Sequence, residues 1–224
     1  MNPYVGLVSS LRAAWLTGKT RAAEHRVSQL EALRRFLDEK KQPILDAMAS
    51  DMRKPSFEVE LSEIIMVKNE VNYALNNLSS WMKDKGVDKN LVTQLDTAFI
   101  RKEPYGVVLI IGPWNYPLQL ILVPLVGAIV AGNCVIIKPS EICSSSEKLL
   151  AETLPSYLDK DCFAAVTGGP AEMTQLLENK FDYIFFTGTT QVTYTVQPPP
   201  THVHCLPSPR GSSSASGPCW AAGV

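Results

Sequence analysis

The first third of the chain has the apolar spacing of amphipathic helices. Within residues 21–48, and again within 58–83, apolar residues recur at steps of three and four with charged residues between them. Such spacing places the apolar side chains on one face of a helix. We therefore predict two helical stretches that form a structural scaffold. The apolar positions of their faces are Val27, Leu30, Leu33, Leu37, Leu45 and Met48, and then Leu61, Ile64, Ile65, Val67, Val71, Leu75, Leu78 and Trp81.

From Gly106 onward, short apolar runs alternate with helical patterns. The predicted strands are 107–111, 134–137, 163–166 and 183–186, and the predicted helices are 118–130, 144–157 and 170–177. Continuous apolar runs rich in β-branched residues are typical of strands buried on both faces. This alternation predicts an α/β fold, in which N-terminal helices accompany a doubly wound, Rossmann-like parallel sheet. Sheets of this kind bind ligands at the carboxyl ends of their strands.

The segment 193–224 differs from the rest in composition. It contains six prolines and several serines, and it shows no apolar periodicity. Proline and serine in this density do not supply the next helix of a β-α-β unit. We therefore predict three parts: an N-terminal helical segment (1–95), an incomplete α/β domain (96–192) and a disordered tail (193–224).

Residues 118–137 are mostly apolar and about as long as a membrane span, about 20 residues. Gln119 and Pro124 interrupt the run, and Gly132 with Asn133 is typical of a turn. A helix followed by a strand, both buried in a soluble core, fits this pattern better than a single span. We predict the former, and the span remains the alternative.

Composition and charge narrow the function classes. Lysine and arginine number 21 against 22 acidic residues, so the net charge is −1, and 46% of residues are hydrophobic. This balance gives no electrostatic basis for a nucleic-acid partner. Five cysteines without paired spacing, and an N-terminus without a signal-peptide pattern, predict a reducing, cytoplasmic setting. The histidines and cysteines of the tail fit no zinc-binding spacing, so no metal is expected.

Three polar clusters lie at predicted strand ends. Asn115 follows the first strand, where a side-chain amide can donate to an oxygen that becomes negative during a reaction. The alternative is an asparagine that stabilises its own turn. Lys138 and Glu141 follow the second strand, and they suit either a sugar-phosphate ligand or an exposed ion pair at the start of a helix.

The third cluster is Thr-Gly-Thr-Thr at 187–190, after the last predicted strand. A helix that begins there would offer free backbone amides to a pyrophosphate. The sequence contains no G-x-G-x-x-G fingerprint, so this cluster alone does not identify a dinucleotide site.

Taken in order, four motifs resemble the aldehyde dehydrogenase superfamily. They are Gly-Pro-Trp-Asn-Tyr-Pro at 112–117, Lys-Pro-Ser-Glu at 138–141, Gly-Gly-Pro at 168–170 and Phe-Phe-Thr-Gly at 185–188. The short N-terminal region, Gln-Leu-Glu-Ala-Leu at 29–33 and Tyr-Leu-Asp-Lys-Asp at 157–161 resemble the class 3 branch, which includes fatty aldehyde dehydrogenase. The resemblance covers about residues 5–192.

The resemblance implies an oxidoreductase that converts aldehydes, medium- or long-chain or aromatic, into carboxylic acids with NAD(P). Asn115 would be the oxyanion-hole amide that steadies the aldehyde oxygen when a cysteine thiolate attacks. Trp114 would line the cofactor cleft beside it. The thiohemiacetal formed by this attack would give a hydride to the nicotinamide and become a thioester. A glutamate would then assist hydrolysis of the thioester.

The same resemblance implies a set of cofactor-binding residues. Lys138 and Glu141 would hold the adenosine ribose of NAD, and a lysine there also tolerates the 2′-phosphate of NADP. Gly169 would let the cofactor pass closely. Gly188 and Thr189 would begin the helix that faces the pyrophosphate.

The chain departs from the family pattern after residue 192. A glycine and a lysine are expected where Thr193 and Tyr194 stand, and neither the Glu-Leu-Gly-Gly-Lys motif nor the catalytic cysteine motif follows. Cys134, Cys143 and Cys162 are predicted to be small buried or surface thiols. We therefore expect a truncated and inactive chain without the dimerisation segment of its homodimeric relatives. The alternative is a non-catalytic splice product that binds NAD weakly or interferes with full-length subunits.

Overall fold

The computed structural model describes residues 2–87 and 97–188, together with the backbone of 202–207. The N-terminal helices are α1 (Val5–Leu16), α2 (Ala23–Glu39), α3 (Lys41–Met52), α4 (Ser56–Val59) and, after a π-helical turn at Glu60–Ile64, α5 (Ile65–Trp81). The predicted helical scaffold is therefore confirmed. The first predicted stretch is two helices, α2 and α3. Pro43 lies in the first turn of α3, and in a continuous helix it would remove a backbone hydrogen bond.

The rest of the described chain alternates strands and helices. A short antiparallel pair, β1 (Lys85–Gly86) and β2 (Phe99–Ile100), precedes β3 (Val107–Ile111), α6 (Gln119–Ala131), β4 (Cys134–Lys138), α7 (Ser144–Thr153), β5 (Phe163–Ala165), α8 (Pro170–Leu177), β6 (Tyr183–Gly188) and β7 (His202–Pro207). The second sheet has the order β5-β4-β3-β6-β7, and every pairing in it is parallel. The predicted α/β class with a doubly wound parallel sheet is confirmed.

The parallel sheet is covered on both faces, as the continuous apolar runs predict. Val108 and Ile110 of β3 face a core that α2, α3, α5, α6 and α7 share. Val107 and Leu109 face the opposite core, which is closed by α1 and α8. All five residues of β3 are buried. Helices α2, α3 and α5 therefore pack on one face of the sheet and α1 packs on the other, which fixes the N-terminal helices against the strands.

Strand β7 corrects the prediction of a disordered tail for six residues. It pairs in parallel with β6, with Tyr183 opposite His202 and Gly188 opposite Pro207. Without such a partner, β6 would present a row of unpaired backbone groups. The prediction rested on the prolines and serines of the segment. It did not take into account the short apolar pattern of Val203, Cys205 and Leu206 between them.

The apolar segment at 118–137 contains a helix and a strand, α6 and β4, as predicted. Gly132 ends α6 in the left-handed conformation (φ 87°), and a Cβ there would lie 2.6 Å from the guanidinium of Arg26. Within 2–87 and 97–188, none of the helices has the length and hydropathy that a membrane crossing requires.

Candidate cofactor and aldehyde site

The predicted site residues meet at the carboxyl edge of the parallel sheet. Ile111 ends β3 and lies between Lys138 of β4 and Phe186 of β6. From β3 the chain runs through α6 to β4 on one side, whereas β6 joins β3 on the other. This reversal of strand order opens a crevice at the strand ends, where doubly wound sheets bind ligands.

The loop after β3 carries Trp114 and Asn115 into an open pocket of about 550 Å³. Trp114 is 55% exposed. Within the described part of the chain, the side-chain amide of Asn115 makes no hydrogen bond to its own turn, so the turn-stabilising alternative loses its support. Its donors are left for the pocket. The pocket is lined by Asp51, Met52, Lys54, Trp114, Asn115, Tyr116, Ile142 and Cys143.

Gly112 fixes the start of this loop. Its N–H donates to the carbonyl of Lys138 at 3.1 Å. A Cβ at this position would lie 2.2 Å from Ile121 of α6, so a side chain would push the loop away from the helix. Glycine is therefore required by the close approach of α6 to the end of β3.

Asp51, which the sequence analysis missed, joins α3 to the first turn of α7. Its carboxylate accepts hydrogen bonds from the backbone N–H groups of Ser145 (3.0 Å) and Ser146 (2.8 Å), and from the Ser146 hydroxyl (2.7 Å). Burial raises the pKa of Asp51, but these hydrogen bonds outweigh burial and leave the pKa below its ordinary value. The carboxylate caps α7 and forms one wall of the pocket.

Cys143 lies in the same pocket but is poorly suited to nucleophilic attack. Its thiol donates to the carbonyl oxygen of Trp114 at 3.2 Å. Burial, with the nearby carboxylates of Asp51 and Glu63, raises the pKa of Cys143 to about 11. The attacking species in cysteine chemistry is the thiolate, which is scarce at neutral pH with such a pKa. The prediction that Cys134, Cys143 and Cys162 are small buried thiols is confirmed for burial.

Lys138 and Glu141 form an ion pair at the end of β4, with Nζ 2.6 Å from the carboxylate oxygen. Lys138 is only 4% exposed. An exposed surface pair, the alternative to a ligand site, therefore does not describe this lysine. Burial raises the pKa of Glu141, but the hydrogen bond from Lys138, a backbone hydrogen bond and the positive charge of Lys138 together outweigh burial and leave the pKa lowered. The pair presents a buried cation and an accessible carboxylate at the crevice.

The two glycines after β5 differ in what requires them. Gly168 has φ +133°, and a Cβ there would lie 2.5 Å from Glu172. At Gly169 the nearest atom to such a Cβ is a carboxylate oxygen of Glu172 at 3.7 Å, an ordinary contact. No neighbour within the described residues therefore forbids a side chain at Gly169. That the cofactor passes close to Gly169 stays a prediction.

The prediction that a helix begins at Gly188 is wrong, because Gly188 is the last residue of strand β6. The strand continues this far since β7 pairs with it up to Gly188. A Cβ at Gly188 would lie 2.2 Å from the ring of Phe186, so packing accounts for the glycine. Thr189 lies outside the described residues. Two residues earlier in the chain, the buried Thr187 hydroxyl has no hydrogen-bond partner among the residues that the structure describes.

A second polar cluster lies at the opposite, amino edge of the sheet. Side-chain atoms of His25, Asp159 and Cys162 lie within 4.8 Å of one another. Lys19 Nζ is 2.5 Å from the Asp159 carboxylate and already neutralises it. The cluster was not visible in the sequence because His25 is more than 130 residues away from Asp159 and Cys162 along the chain. Its position separates it from the crevice.

The parallel doubly wound sheet and the polar groups at its switch point are typical of nucleotide-cofactor-binding α/β proteins. The family profile described as "Aldehyde dehydrogenase family" matches residues 8–202, ten residues beyond the expected end of the resemblance at 192. The chain belongs to the aldehyde dehydrogenase family.

Its curated relatives include aldehyde dehydrogenase family 3 member B1 of Bos taurus, which is 60% identical over 192 residues, covering 86% of this chain and 41% of that protein. Family 3 member A2 of Pongo abelii is 49% identical over 185 residues, covering 83% of this chain and 38% of that protein. These relatives confirm the class 3 resemblance. The chain spans about two fifths of the length of the curated relatives that it matches.

A solved structure of Staphylococcus aureus AldH in its substrate-bound state matches with a TM-score of 0.85 and 35% identity. That match covers 88% of this chain and 43% of the other. The arrangement of helices and strands described above is therefore that of the corresponding part of an aldehyde dehydrogenase.

Proposed function

We propose that this chain supplies the cofactor-binding part of an enzyme that oxidises a small-molecule aldehyde to a carboxylic acid with NAD or NADP. One observation carries the proposal. The buried Lys138 and the accessible Glu141 lie at the switch point of a doubly wound sheet, together with Asn115, whose side-chain amide has no hydrogen bond to any residue that the structure describes. Membership of the aldehyde dehydrogenase family supports the aldehyde as the substrate class.

The Lys138–Glu141 pair suits the adenosine half of a dinucleotide. The Glu141 carboxylate accepts hydrogen bonds from ribose hydroxyls, as acidic residues do after strands of this fold. The ammonium of Lys138 keeps the carboxylate ionised and can face a 2′-phosphate, so the pair accommodates both cofactors. Gly169 follows the neighbouring strand β5, and we propose that the cofactor passes close to it. The bound nicotinamide would accept a hydride.

Asn115 is the group that we propose for the aldehyde oxygen. Asn115 lines the open pocket, and its amide would donate where negative charge develops. Cys143, the thiol of the same pocket, is held protonated by its raised pKa and bonded to the Trp114 carbonyl. We therefore expect this chain to bind cofactor without oxidising aldehyde by itself.

Cofactor titration of wild-type and substituted chains tests the proposal. We expect calorimetry to show NAD and NADP binding that Lys138→Ala weakens about tenfold, as loss of a charged hydrogen bond, about 1.5 kcal/mol, predicts. Lys148→Ala is the matched control, since the exposed Lys148 on α7 pairs with the exposed Glu152 of the same helix, one turn further on. Equal affinity of Lys138→Ala and wild type would contradict the assigned site. Aldehyde turnover by the chain would contradict the expected inactivity.

We also propose a cytoplasmic location. Its support is chemical: the three described cysteines are all free thiols, which is the usual state in a reducing compartment. Fractionation of cells that express the tagged chain tests this, and recovery in a secreted or lumenal fraction would contradict it.

A further inference from the structure

A buried ion pair between Lys54 and Glu63 contacts the backbone of the Asn115 loop at several points. We infer that these two side chains are positioning residues that hold the Asn115 amide in place in the pocket. The inference rests on the role proposed above for Asn115. Neither residue belongs to a motif that the sequence analysis singled out.

Glu63 anchors the end of the loop. The side chain is 0% exposed, and one carboxylate oxygen lies 2.7 Å from Lys54 Nζ. Its other oxygen accepts hydrogen bonds from the backbone N–H groups of Leu118 (3.0 Å) and Gln119 (3.1 Å). These N–H groups belong to the start of α6, where a helix leaves donors unsatisfied and favours negative charge. The start of α6 is therefore fixed by a charged acceptor from the π-helical turn.

Lys54 anchors the middle of the loop. Its side chain is 12% exposed, and Nζ donates to the carbonyl oxygen of Asn115 at 3.0 Å. Nζ also lies 4.1 Å from the ring centroid of Tyr116. Its charge is directed at Glu63, at the Asn115 backbone and at an aromatic face. Lys54 therefore binds the loop and is not available as a cation for substrate.

Glu63 lies within the π-helical turn and on the buried face of this segment, four residues after Val59 and four before Val67. Ile64 beside it is buried as well. Leu61 is 47% exposed, which corrects the prediction that Leu61 faces the scaffold core. Single π-helical turns occur preferentially at functional sites.

These contacts orient Asn115 as well as stabilise the fold. They fix the carbonyl of Asn115 and the two N–H groups that follow the loop, so the direction of the Asn115 side chain is constrained on both sides. Functional amides require placement within about 0.5 Å. Loss of one partner leaves the other charge buried, which is strongly unfavourable and releases the loop.

Backbone ¹⁵N relaxation of the full 224-residue chain tests the inference. In wild type, we expect order parameters of about 0.85 at Trp114, Asn115 and Tyr116, falling below about 0.6 in Lys54→Met. The distinct side-chain amide resonances of Asn115, assigned through Asn115→Asp, should collapse towards those of a free asparagine. Strands β3 and β4 should keep their order parameters. The matched control is Lys68→Met, which removes a lysine that joins α5 to Asp38 of α2 away from the loop.

Unchanged loop order in Lys54→Met would overturn the inference. If Lys54→Met disorders the sheet as well, the double variant Lys54→Met/Glu63→Gln replaces it, because it leaves no unpaired buried charge. The order parameters of its loop and of its strands are then compared with those of wild type. Disorder confined to 114–116 supports positioning, and a rigid loop contradicts it. Cofactor titration of the same samples separates the two proposals: a wild-type chain that binds no NAD(P) refutes the proposed function, whereas the relaxation data alone decide the role of Lys54 and Glu63.

Discussion

At the scale of single residues, burial determines which polar groups of the pocket are available for chemistry. Asn115 has amide donors that no neighbour in its own turn uses, whereas the thiol of Cys143 is buried and bonded to the Trp114 carbonyl. Lys138 is buried beside an accessible carboxylate, and this favours a ligand role over a surface pair. The pocket therefore offers hydrogen-bond donors and charge but no activated nucleophile among the described cysteines.

The raised pKa of Cys143 predicts slow alkylation. With a pKa of about 11, the thiolate fraction at pH 7.5 is small, although each thiolate is more nucleophilic. The two effects together predict labelling by iodoacetamide about twentyfold slower than for an ordinary cysteine. Peptide mass spectrometry at timed intervals measures the rate at Cys143. The same chain in urea is the control and should label at the ordinary rate; equal rates in both conditions would contradict the buried, protonated thiol.

At the scale of elements, charged side chains from the N-terminal helices cap the helices of the α/β part. Asp51 of α3 caps α7, and Glu63 of the π-helical turn caps α6. Each carboxylate accepts two backbone N–H groups at a helix N-terminus, where negative charge is favourable. The helical scaffold therefore also fixes the first turns of α6 and α7. These turns follow the loops that carry the site, so the scaffold positions the loops as well.

Removing the Asp51 charge should destabilise the chain in a pH-dependent way. Asp51→Asn should lower the free energy of unfolding by up to about 1 kcal/mol at pH 7, the usual contribution of a negative charge at a helix N-terminus. The folded-state pKa of Asp51 lies below its ordinary value of 3.8, so this stabilisation is present above that value and is lost as the pH falls through the folded-state pKa. Urea denaturation at pH 7 and at acid pH measures the difference between wild type and variant.

Asp46→Asn is the matched control for that measurement. Asp46 lies on the same helix, α3, but is exposed, and its carboxylate accepts a hydrogen bond from Gln42 one turn away. We expect its unfolding free energy to stay within about 0.5 kcal/mol of wild type, as is usual for surface substitutions. A loss equal to that of Asp51→Asn, or a loss that persists unchanged in acid, would contradict capping by Asp51.

At the scale of the whole molecule, two hydrophobic cores hold one parallel sheet whose carboxyl edge forms the crevice. The residues proposed for ligand binding follow three different strands and converge only because those strands are parallel and adjacent. The sheet extends through β7 to residue 207, so the ordered backbone reaches into the segment predicted to be a tail.

Much of this architecture could be predicted from the sequence. The runs at β3 and β4 are continuous and β-branched, so they indicate buried parallel strands without knowledge of their neighbours. Lys54, Glu63 and Asp51 could not be predicted as site residues, since their roles depend on contacts with residues 55 to 95 positions away. The end of β6 at Gly188 was missed because a Gly-Thr pattern is typical of a turn, and only the β7 pairing extends the strand.

Hydrogen exchange with and without saturating NAD tests whether the cofactor binds at the carboxyl edge of the sheet. We predict increased amide protection at 112–117, 138–141 and 168–169, the three segments at this edge. Protection should be unchanged at the amino edge around Cys134 and Cys162, which serves as an internal reference. Protection at the amino edge alone, or no change anywhere with NAD or NADP, would contradict a cofactor site at the carboxyl ends of β3, β4 and β5.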